Sequence, residues 1–500
     1  MEGAVVKVDS FEENTNAVVL VVVLSSWICS AQASYVAAVY EHRVEMNPQP
    51  SVPLSRSAAL LHMRTNLRVY EQQAEQASRQ GAQILVFPED GLHGFNFTRS
   101  SIAAYLEIIP DPQHETWNPC EEPQRHPNTE VQQWLSCMAR RQRLYVVANM
   151  GSVQPCSGTS ASCPSDGRWH FNTNVVYSSD GLMVARYHKQ NLYFEDAFDA
   201  PPHVEVVTFE TPFAGRFGLI TCFDILFRQP TVALLEKGVR QIIFPTAWMN
   251  QLPLLDTIQF QRAFSLGANI TLLAANIRSD PLIMTGSGIY SPSSAVYHHA
   301  LMGDPEEGRL IVATLEPLPD GPESEPVQGF TDAGLCGSEA HRAPQSFTSY
   351  MMHDIFTFVL LLRPEGRLSV CDGSLCCWLQ YRLTENNLTE VYALGAFAGL
   401  HTVNGNYSLQ VCALVKCAGS EPQSCGREVE QAQTKMDFTL EGTFSSSYVF
   451  PSVLSSDYTL EQPTHLHTSP QGTVTMEHSH MKAGLITAAL YARTHHLDPH

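Results

Sequence analysis

Positively charged residues are scarce in this sequence. Lysine and arginine together number 30 against 50 aspartates and glutamates, which gives a formal net charge of −20 at pH 7 and a pI near 5.4. Basic runs and basic arms are missing as well. Nucleic acids and anionic membrane surfaces bind basic patches, so the composition argues against both as partners and predicts a soluble, acidic protein.

Several catalytic and binding motifs are also absent. The sequence has no G-x-S-x-G, H-E-x-x-H, Walker or dinucleotide-binding glycine motif, and no C-x-x-C. Serine hydrolase, zinc protease, nucleotide-binding and thioredoxin hypotheses therefore lose their main support. Metal binding is one interpretation of six histidines near the C-terminus, but their polar, turn-rich surroundings are more typical of a solvated tail: His465, His467, His478, His480, His495 and His496. We predict no metal and no cofactor.

The apolar run at residues 17–24 is too short to span a membrane. An Ala31-x-Ala33 cleavage pattern follows it, so we predict that residues 1–33 are a secretory signal peptide and that the mature chain starts near Ser34. A membrane anchor is the alternative, although the chain ends without an apolar tail. We expect a secreted, extracellular protein without an anchor.

Secretion makes the cysteines informative, because an oxidising compartment pairs them. Thirteen cysteines less Cys29 of the leader and Cys222, discussed below, leave eleven, which predict five disulfides and one cysteine left over. Cys336 lies in an irregular segment and is our choice for the odd one. Cys156 and Cys163 have the spacing of a local loop staple, and the other pairings stay open.

N-glycosylation sequons, which predict a glycoprotein, begin at four asparagines: Asn96, Asn269, Asn387 and Asn406. Asn269 precedes a strand that looks buried, so we expect that site to be unmodified.

Strand and helix patterns alternate over residues 34–315. Apolar residues at steps of three and four predict a helix over 59–77 and a second over 129–143, with Thr129 and Gln132 at capping-box spacing. An Asp-Gly turn at 180–181 predicts a hairpin. Apolar runs predict strands at 35–40, 84–87, 145–149, 174–177, 182–187, 218–221, 241–244, 272–276 and 309–315. The alternation implies a layered α/β domain.

The composition changes after this region. Residues 316–345 are rich in proline, glycine, serine and acidic residues, which predicts a linker or exposed insertion. Short strand patterns then recur among cysteines at 355–362, 390–394, 407–415 and 448–454. We interpret residues 346–500 as a smaller, mainly β, disulfide-stapled domain.

Three chemically active side chains each follow a predicted strand. Glu89 follows 84–87, Lys189 follows 184–187, and Cys222 follows 218–221 at the start of a helix pattern over 225–237 that Pro230 interrupts or delays. Active sites of α/β proteins collect at the carboxyl ends of strands, and a helix start favours a thiolate. Taken singly, the three have simpler interpretations: a structural cysteine, a solvated carboxylate and a surface lysine.

The motifs around them are specific. PEDGLHGFNF at Glu89, RYHKQNLYFEDAFDAP at Lys189 and TCFDILF at Cys222 resemble the nitrilase superfamily of carbon–nitrogen hydrolases and, within it, the biotinidase and vanin branch. The likeness runs from about residue 35 to 493 and includes PTAWMNQLPLL, MTGSGIY and EVYALGAFAGLHTV. FPEDGLHGFNFTR, NLYFEDAFD and GLITAALYAR are more similar to the biotinidase side of the branch.

The resemblance implies an α-β-β-α sandwich followed by a vanin-like β domain. It implies that Glu89 is the general base, Cys222 the nucleophile that forms a thioester, and Lys189 a stabiliser of the oxyanion with the backbone N–H of Phe223. Glu195 resembles a further carboxylate that orients the lysine in such sites.

The implied substrates are biotin amides such as biocytin, which would yield biotin and lysine. Pantetheine hydrolysis, as in vanins, is the main alternative, and a catalytically silent secreted binding protein is another. The intact Glu89, Lys189 and Cys222 count against the silent protein. We expect a monomer that acts on a small-molecule substrate.

Overall fold

The computed structural model describes residues 33–157, 163–305, 308–322, 345–385 and 389–499. The predicted signal peptide with Cys29, most of the predicted linker, Cys336 and Asn387 lie outside the described residues. The elements up to Leu315 follow in chain order: β1 (Tyr35–Arg43), α1 (Arg56–Arg79), β2 (Ile84–Val86), α2 (Glu130–Gln142), β3 (Tyr145–Pro155), β4 (Arg168–Tyr177), β5 (Met183–His188), β6 (Thr208–Thr211), β7 (Gly215–Leu219), α3 (Ala233–Glu236), β8 (Gln241–Thr246), α4 (Thr257–Ala268), β9 (Thr271–Arg278), β10 (Ser287–Ser291), β11 (Ser294–His298) and β12 (Gly308–Leu315).

These strands form two sheets that pack face to face. One has the order β12-β1-β2-β3-β4-β5 and the other β6-β7-β8-β9-β10-β11, and a short parallel pairing joins β1 to β9 at one corner. Alternate residues of β1 point in opposite directions: Ala38 and Tyr40 pack against α1 and α2, whereas Ala37 and Val39 pack against the second sheet. Helix α4 covers the outer face of that second sheet. The result is the α-β-β-α sandwich that the resemblance implied.

The strongest sequence patterns are confirmed. Helix α1 contains the predicted stretch 59–77 and ends two residues before Gly81, whose φ of 81° suits glycine. The predicted Asp-Gly hairpin joins β4 to β5.

The predicted capping box at α2 is wrong, because Thr129 is the N-cap residue but its side chain makes no capping hydrogen bond. The buried Glu107 carboxylate accepts the N–H groups of Val131 and Gln132 instead, at 2.9 and 3.2 Å.

The helix predicted over 225–237 is α-helical only at its end. A 3-10 turn spans Cys222–Leu226, Gln229 has the extended angles φ −107° and ψ 126°, and α3 begins after Pro230. Proline cannot donate a backbone hydrogen bond, and it disfavours helical angles at the residue before it. The predicted interruption at Pro230 is therefore confirmed, and Cys222 begins a short turn rather than a long helix.

The C-terminal part is mainly β, as predicted. Its strands in the described residues are β13 (Phe347–Met351), β14 (Asp354–Leu360), β15 (Glu365–Asp372), β16 (Leu375–Glu385), β17 (Tyr392–His401), β18 (Tyr407–Lys416), β19 (Lys435–Thr443), β20 (Val449–Ser455), β21 (Thr459–Leu460), β22 (His465–Thr468), β23 (Thr473–His478) and β24 (Leu485–Arg493). They form a sheet of order β13-β14-β17-β18-β24-β20-β21 and a sheet of order β15-β16-β19-β23-β22, with an apolar core between them.

The larger of these two sheets packs on the α/β sandwich. Phe450 and Tyr491 of the sheet contact Phe260 of α4, with ring centroids 5.8 and 5.6 Å apart. These rings belong to one apolar core that continues to Cys222 and Phe223. The described residues from Ala33 onward form one compact unit. The β part therefore reaches the segment that carries the candidate nucleophile.

The described residues contain five disulfides, as predicted in number: Cys120–Cys137, Cys156–Cys163, Cys371–Cys376, Cys377–Cys412 and Cys417–Cys425. The predicted staple of Cys156 to Cys163 is confirmed, and Cys222 is free. Five disulfides indicate folding in an oxidising compartment.

Two surface features complete the fold. Asn96, Asn269 and Asn406 are exposed. Strand β9 after Asn269 is buried, as predicted, and the absence of a glycan at Asn269 stays a prediction. Among the described residues, we find no helix with the length and apolarity required to cross a membrane.

Candidate active site

The strand ends that carry Glu89, Lys189 and Cys222 lie at one edge of the sandwich. Strands β1, β2 and β3 are parallel, as are β7, β8 and β9, and the parallel pairing of β1 with β9 gives both sets the same direction. Strand β5 is antiparallel to β4, which is antiparallel to β3, so β5 also points to that edge. Chain direction therefore brings together three residues that are far apart in sequence.

A buried ammonium–carboxylate cluster lies at this edge. The Lys189 Nζ donates to Glu89 Oε1 at 2.7 Å and also to Glu195 Oε2. Lys189 and Glu89 are 2% and 1% exposed, so water hardly screens the charges. The structure thus places Glu195 beside the lysine, as the resemblance implied.

Two further donors hold the carboxylates. The Asn172 Nδ2 donates to Glu89 Oε1 at 2.8 Å and to Glu195 Oε1 at 2.6 Å, and the Ala247 N–H donates to Glu89 Oε2 at 2.9 Å. Asn172 receives a hydrogen bond in turn from Asn149, at 2.6 Å. Both oxygens of Glu89 are therefore fixed by donors from three different segments of the chain.

Burial changes the acid–base properties of the cluster. Burial raises the pKa of Glu89, and Lys189 opposes that rise. Burial alone would lower the pKa of Lys189, but Glu195 and Glu89 together raise it well above the ordinary value, so the ammonium stays charged at neutral pH. A carboxylate with a raised pKa is a stronger base than an exposed one.

Cys222 sits on a tightly bound turn directly after β7. Its φ is 45°, a left-handed angle that is unusual for a residue other than glycine. Thr221 and Asp224 form a capping box around it, in which the Thr221 N–H donates to Asp224 Oδ2 at 3.0 Å. The Asp224 carboxylate also accepts the Tyr187 hydroxyl at 2.7 Å and the Asn191 N–H at 2.9 Å. Asp224 therefore ties the Cys222 turn to the segment that carries Lys189.

The pKa of Cys222 lies above its ordinary value, contrary to the expectation from a helix start. Burial and the Glu89 charge raise the pKa of Cys222, while Lys189, Thr246 and the Ala247 N–H lower it without reversing the rise. The predicted effect of Lys189 therefore has the right direction but is outweighed. A buried neutral thiol needs a base close by to become a nucleophile. The Glu89 carboxylate lines the same cavity as Cys222 and influences its pKa.

Two cavities meet at Cys222. The acidic cavity, of about 210 Å³, is lined by Glu89, Asp90, Lys189 and Glu195 among others. The apolar cavity is lined by side chains that follow β7 and β8 and by residues of the C-terminal β part. In the part of the chain that the structure describes, no cluster of three or more His, Cys, Asp or Glu side chains could hold a metal ion.

Most of the chain is similar to known proteins. Residues 55–279 match the carbon–nitrogen hydrolase family, and residues 345–498 match the vanin C-terminal domain. The chain is 63% identical over 484 residues to biotinidase of Takifugu rubripes, covering 94% of this chain and 96% of that protein. It belongs to the biotinidase and vanin family of carbon–nitrogen hydrolases. It is also 47% identical to biotinidase of Rattus norvegicus, covering 94% and 96%, and 45% identical to pantetheinase of Bos taurus, covering 94% and 92%.

Sequence reasoning about this carbon–nitrogen hydrolase missed four site residues. Asp224 follows Thr221 at the T-x-x-D spacing of a capping box, a signal that could have found it. Asn172 and Asn174 alternate within β4 and so share one face of the strand, which marks a polar site inside a buried sheet. The Ala247 N–H had no sequence signal, because a backbone donor depends on the chain path and not on the residue type.

Proposed function

We propose that the chain hydrolyses biotin amides such as biocytin to biotin and the free amine, through a thioester on Cys222. Identity of 63% to Takifugu biotinidase over nearly the full length of both chains is the observation that carries this proposal. The buried cluster of Glu89 and Lys189 at the same sheet edge as Cys222 supplies the chemistry that an amidase requires.

In the first half-reaction, Glu89 takes the thiol proton as the Cys222 sulfur bonds to the carbonyl carbon of the amide. The oxyanion that forms is stabilised by the Lys189 ammonium and the backbone N–H of Phe223. Glu89 then passes its proton to the leaving nitrogen as the C–N bond breaks. The products are a free amine and a biotinyl thioester.

In the second half-reaction, Glu89 takes a proton from a water molecule whose oxygen attacks the thioester carbon. The same two donors stabilise the second oxyanion. The C–S bond then breaks, the proton returns to sulfur, and biotin leaves. Glu89 thus serves each step as base and then as acid, which its fixed position beside Lys189 permits.

Pantetheine is the alternative substrate, supported by the 45% identity to Bos taurus pantetheinase. We expect kcat/KM for biocytin to exceed that for pantetheine by at least about tenfold. The measurement is release of biotin from biocytin and of cysteamine from pantetheine, with Cys222→Ala as the blank. The opposite preference would favour a pantetheinase, and no turnover of either substrate would favour a silent binding protein.

Asn172 should control the pH at which the enzyme loses activity. Its hydrogen bond lowers the pKa of Glu89, so in Asn172→Ala that pKa rises. Because the base must be deprotonated, the acid limb of kcat/KM should move to higher pH, and kcat should fall by roughly 10- to 100-fold.

A matched control for this variant is Asn66→Ala. Asn66 is a fully buried asparagine of α1 that bonds to His42 and to the carbonyls of Glu45 and Leu92, and its side chain donates to neither Glu89 nor Glu195. That variant should lose stability and keep the acid limb in place. If Asn172→Ala lowers kcat with no change in the acid limb, then its side chain does not act through Glu89.

We further propose that residues 1–33 are removed on secretion and that the protein acts outside the cell as a monomer on a small molecule. The five disulfides support the oxidising route. We propose that the catalytic domain covers residues 34–315 and the β domain 346–500, with a linker between them. The family matches at 55–279 and 345–498 are compatible with these bounds.

A further inference from the structure

The acidic and apolar cavities lie side by side at Cys222. Four residues line both of them: Tyr193, Cys222, Ala247 and Met249. An amide bound at Cys222 has two arms, the acyl group on the carbon and the amine on the nitrogen. The two cavities therefore offer one compartment to each arm.

The proposed proton transfers decide which arm enters which cavity. Glu89 must reach the leaving nitrogen, and Glu89 lines the acidic cavity. The amine arm therefore occupies the acidic cavity, where carboxylates attract an ammonium group such as the α-ammonium of the lysine part of biocytin. The acyl arm then extends into the apolar cavity.

The apolar cavity suits an acyl chain with a polar end. Aliphatic and aromatic side chains line most of it, including Leu226, Trp248 and Leu254. Asp354 and His401 also line it, and both are largely buried, at 9% and 6% exposed. The His401 Nδ1 lies 2.7 Å from Asp354 Oδ2. A buried carboxylate–imidazole pair in an apolar cavity is a site for a polar group of matching geometry.

The loop between β17 and β18 starts directly after His401 and packs against the α/β domain near Cys222. Asn404, at φ 61°, lines the apolar cavity together with Tyr193, which lies four residues after Lys189. Gly405, at φ +144°, lies so close to the nucleophile turn that an added Cβ would be 2.9 Å from the Phe223 ring. The β domain therefore packs directly against Phe223, the residue that follows Cys222.

We propose that the Asp354–His401 pair binds the ureido group of the biotinyl moiety, so that the C-terminal β domain determines acyl specificity. This assignment rests on the proposed function. A cyclic urea presents two N–H donors and one carbonyl acceptor. The Asp354 carboxylate accepts one of the two N–H donors, which point apart in a five-membered cyclic urea, and the apolar side chains contact the aliphatic chain that leads back to Cys222.

The test compares two amides of one aromatic amine in the wild type and in Asp354→Asn. One amide carries the biotinyl group and the other a pentanoyl group, which lacks the urea. In the variant, the ratio of kcat/KM for the biotinyl amide to that for the pentanoyl amide should fall by about ten- to hundredfold, mainly through KM. Turnover of the pentanoyl amide reports that the variant is folded.

Asp437→Asn is the matched control, because Asp437 is also a carboxylate with a side-chain partner, Arg382 at 2.8 Å, in the C-terminal part and lines neither cavity. Its ratio should equal that of the wild type. An Asp354→Asn variant that keeps the wild-type ratio, or lowers both rates equally, would show that the pair only joins β14 to β17 and would overturn the assignment. A wild type that hydrolyses pantetheine but no biotinyl amide would instead overturn the proposed function, and this assignment with it.

Discussion

Replacing Cys222 with alanine should abolish amide hydrolysis, with a loss in kcat on the order of 10⁶-fold, the size seen when a covalent nucleophile is removed. The protein should still fold, because Cys222 takes part in no disulfide and faces existing cavities. We expect the free energy of unfolding to change by no more than about 1 kcal/mol. Steady-state assays and thermal unfolding of the same samples measure both quantities.

Mass spectrometry of rapidly quenched samples gives a direct readout. The wild type should carry one biotinyl group in a thioester, and Cys222→Ala should carry none. Cys222→Ser is the conservative companion, since it keeps an oxygen in place of the sulfur. Retention of more than about 1% of wild-type kcat in Cys222→Ala would show that another group is the nucleophile, and the proposed mechanism would fail.

Replacing Lys189 with methionine should damage both activity and stability. The oxyanion loses a charged donor, which typically lowers kcat by roughly 10²- to 10³-fold. The buried Glu89 and the partly buried Glu195 lose the cation between them. Leaving charges buried without a partner costs roughly 3–5 kcal/mol of unfolding free energy.

This destabilisation should depend on pH. Without the ammonium, the pKa of Glu89 in the folded protein rises further above its unfolded value. Stability from a raised pKa is fully present below the unfolded value and is lost as pH rises through the folded value. Urea unfolding at pH 5 and pH 8 should therefore show the larger deficit of Lys189→Met at pH 8.

Two companion variants separate the loss of activity from the loss of stability in Lys189→Met. Adding Glu89→Gln to Lys189→Met should recover part of the stability at pH 8 and none of the activity, because it removes one of the two like charges. Lys416→Met removes a lysine that is paired with Glu390, at 2.9 Å in the C-terminal part, and should leave kcat within about twofold. Equal destabilisation of Lys189→Met at both pH values would contradict the assignment of charge to this cluster.

The sequence was informative wherever a feature depends on neighbours along the chain. Apolar spacing over 59–77 predicts α1, and an Asp-Gly turn predicts the β4–β5 hairpin. Strand ends predicted that Glu89, Lys189 and Cys222 would share one edge, because parallel strands end together. The catalytic roles of these residues and the domain bounds stay predictions.

Predictions from neighbouring residues failed where a group that is distant in sequence changes the environment of an atom. The capping box at Thr129 does not form because Glu107, buried under α2, takes the N–H groups that the box would satisfy. The pKa of Cys222 is raised and not lowered, because the β domain and the sheet bury the sulfur. Both outcomes depend on burial, which residue spacing does not report.

By itself, the sequence determined the elements, the family and the candidate Glu, Lys and Cys, because periodicity and motifs are local properties of the chain. Only the tertiary structure decided what surrounds them. Asn172 between two carboxylates, Asp224 behind the nucleophile turn and Asp354 at the apolar cavity come from segments far apart in sequence. Their energies depend on distance and desolvation, which exist only once the chain is packed.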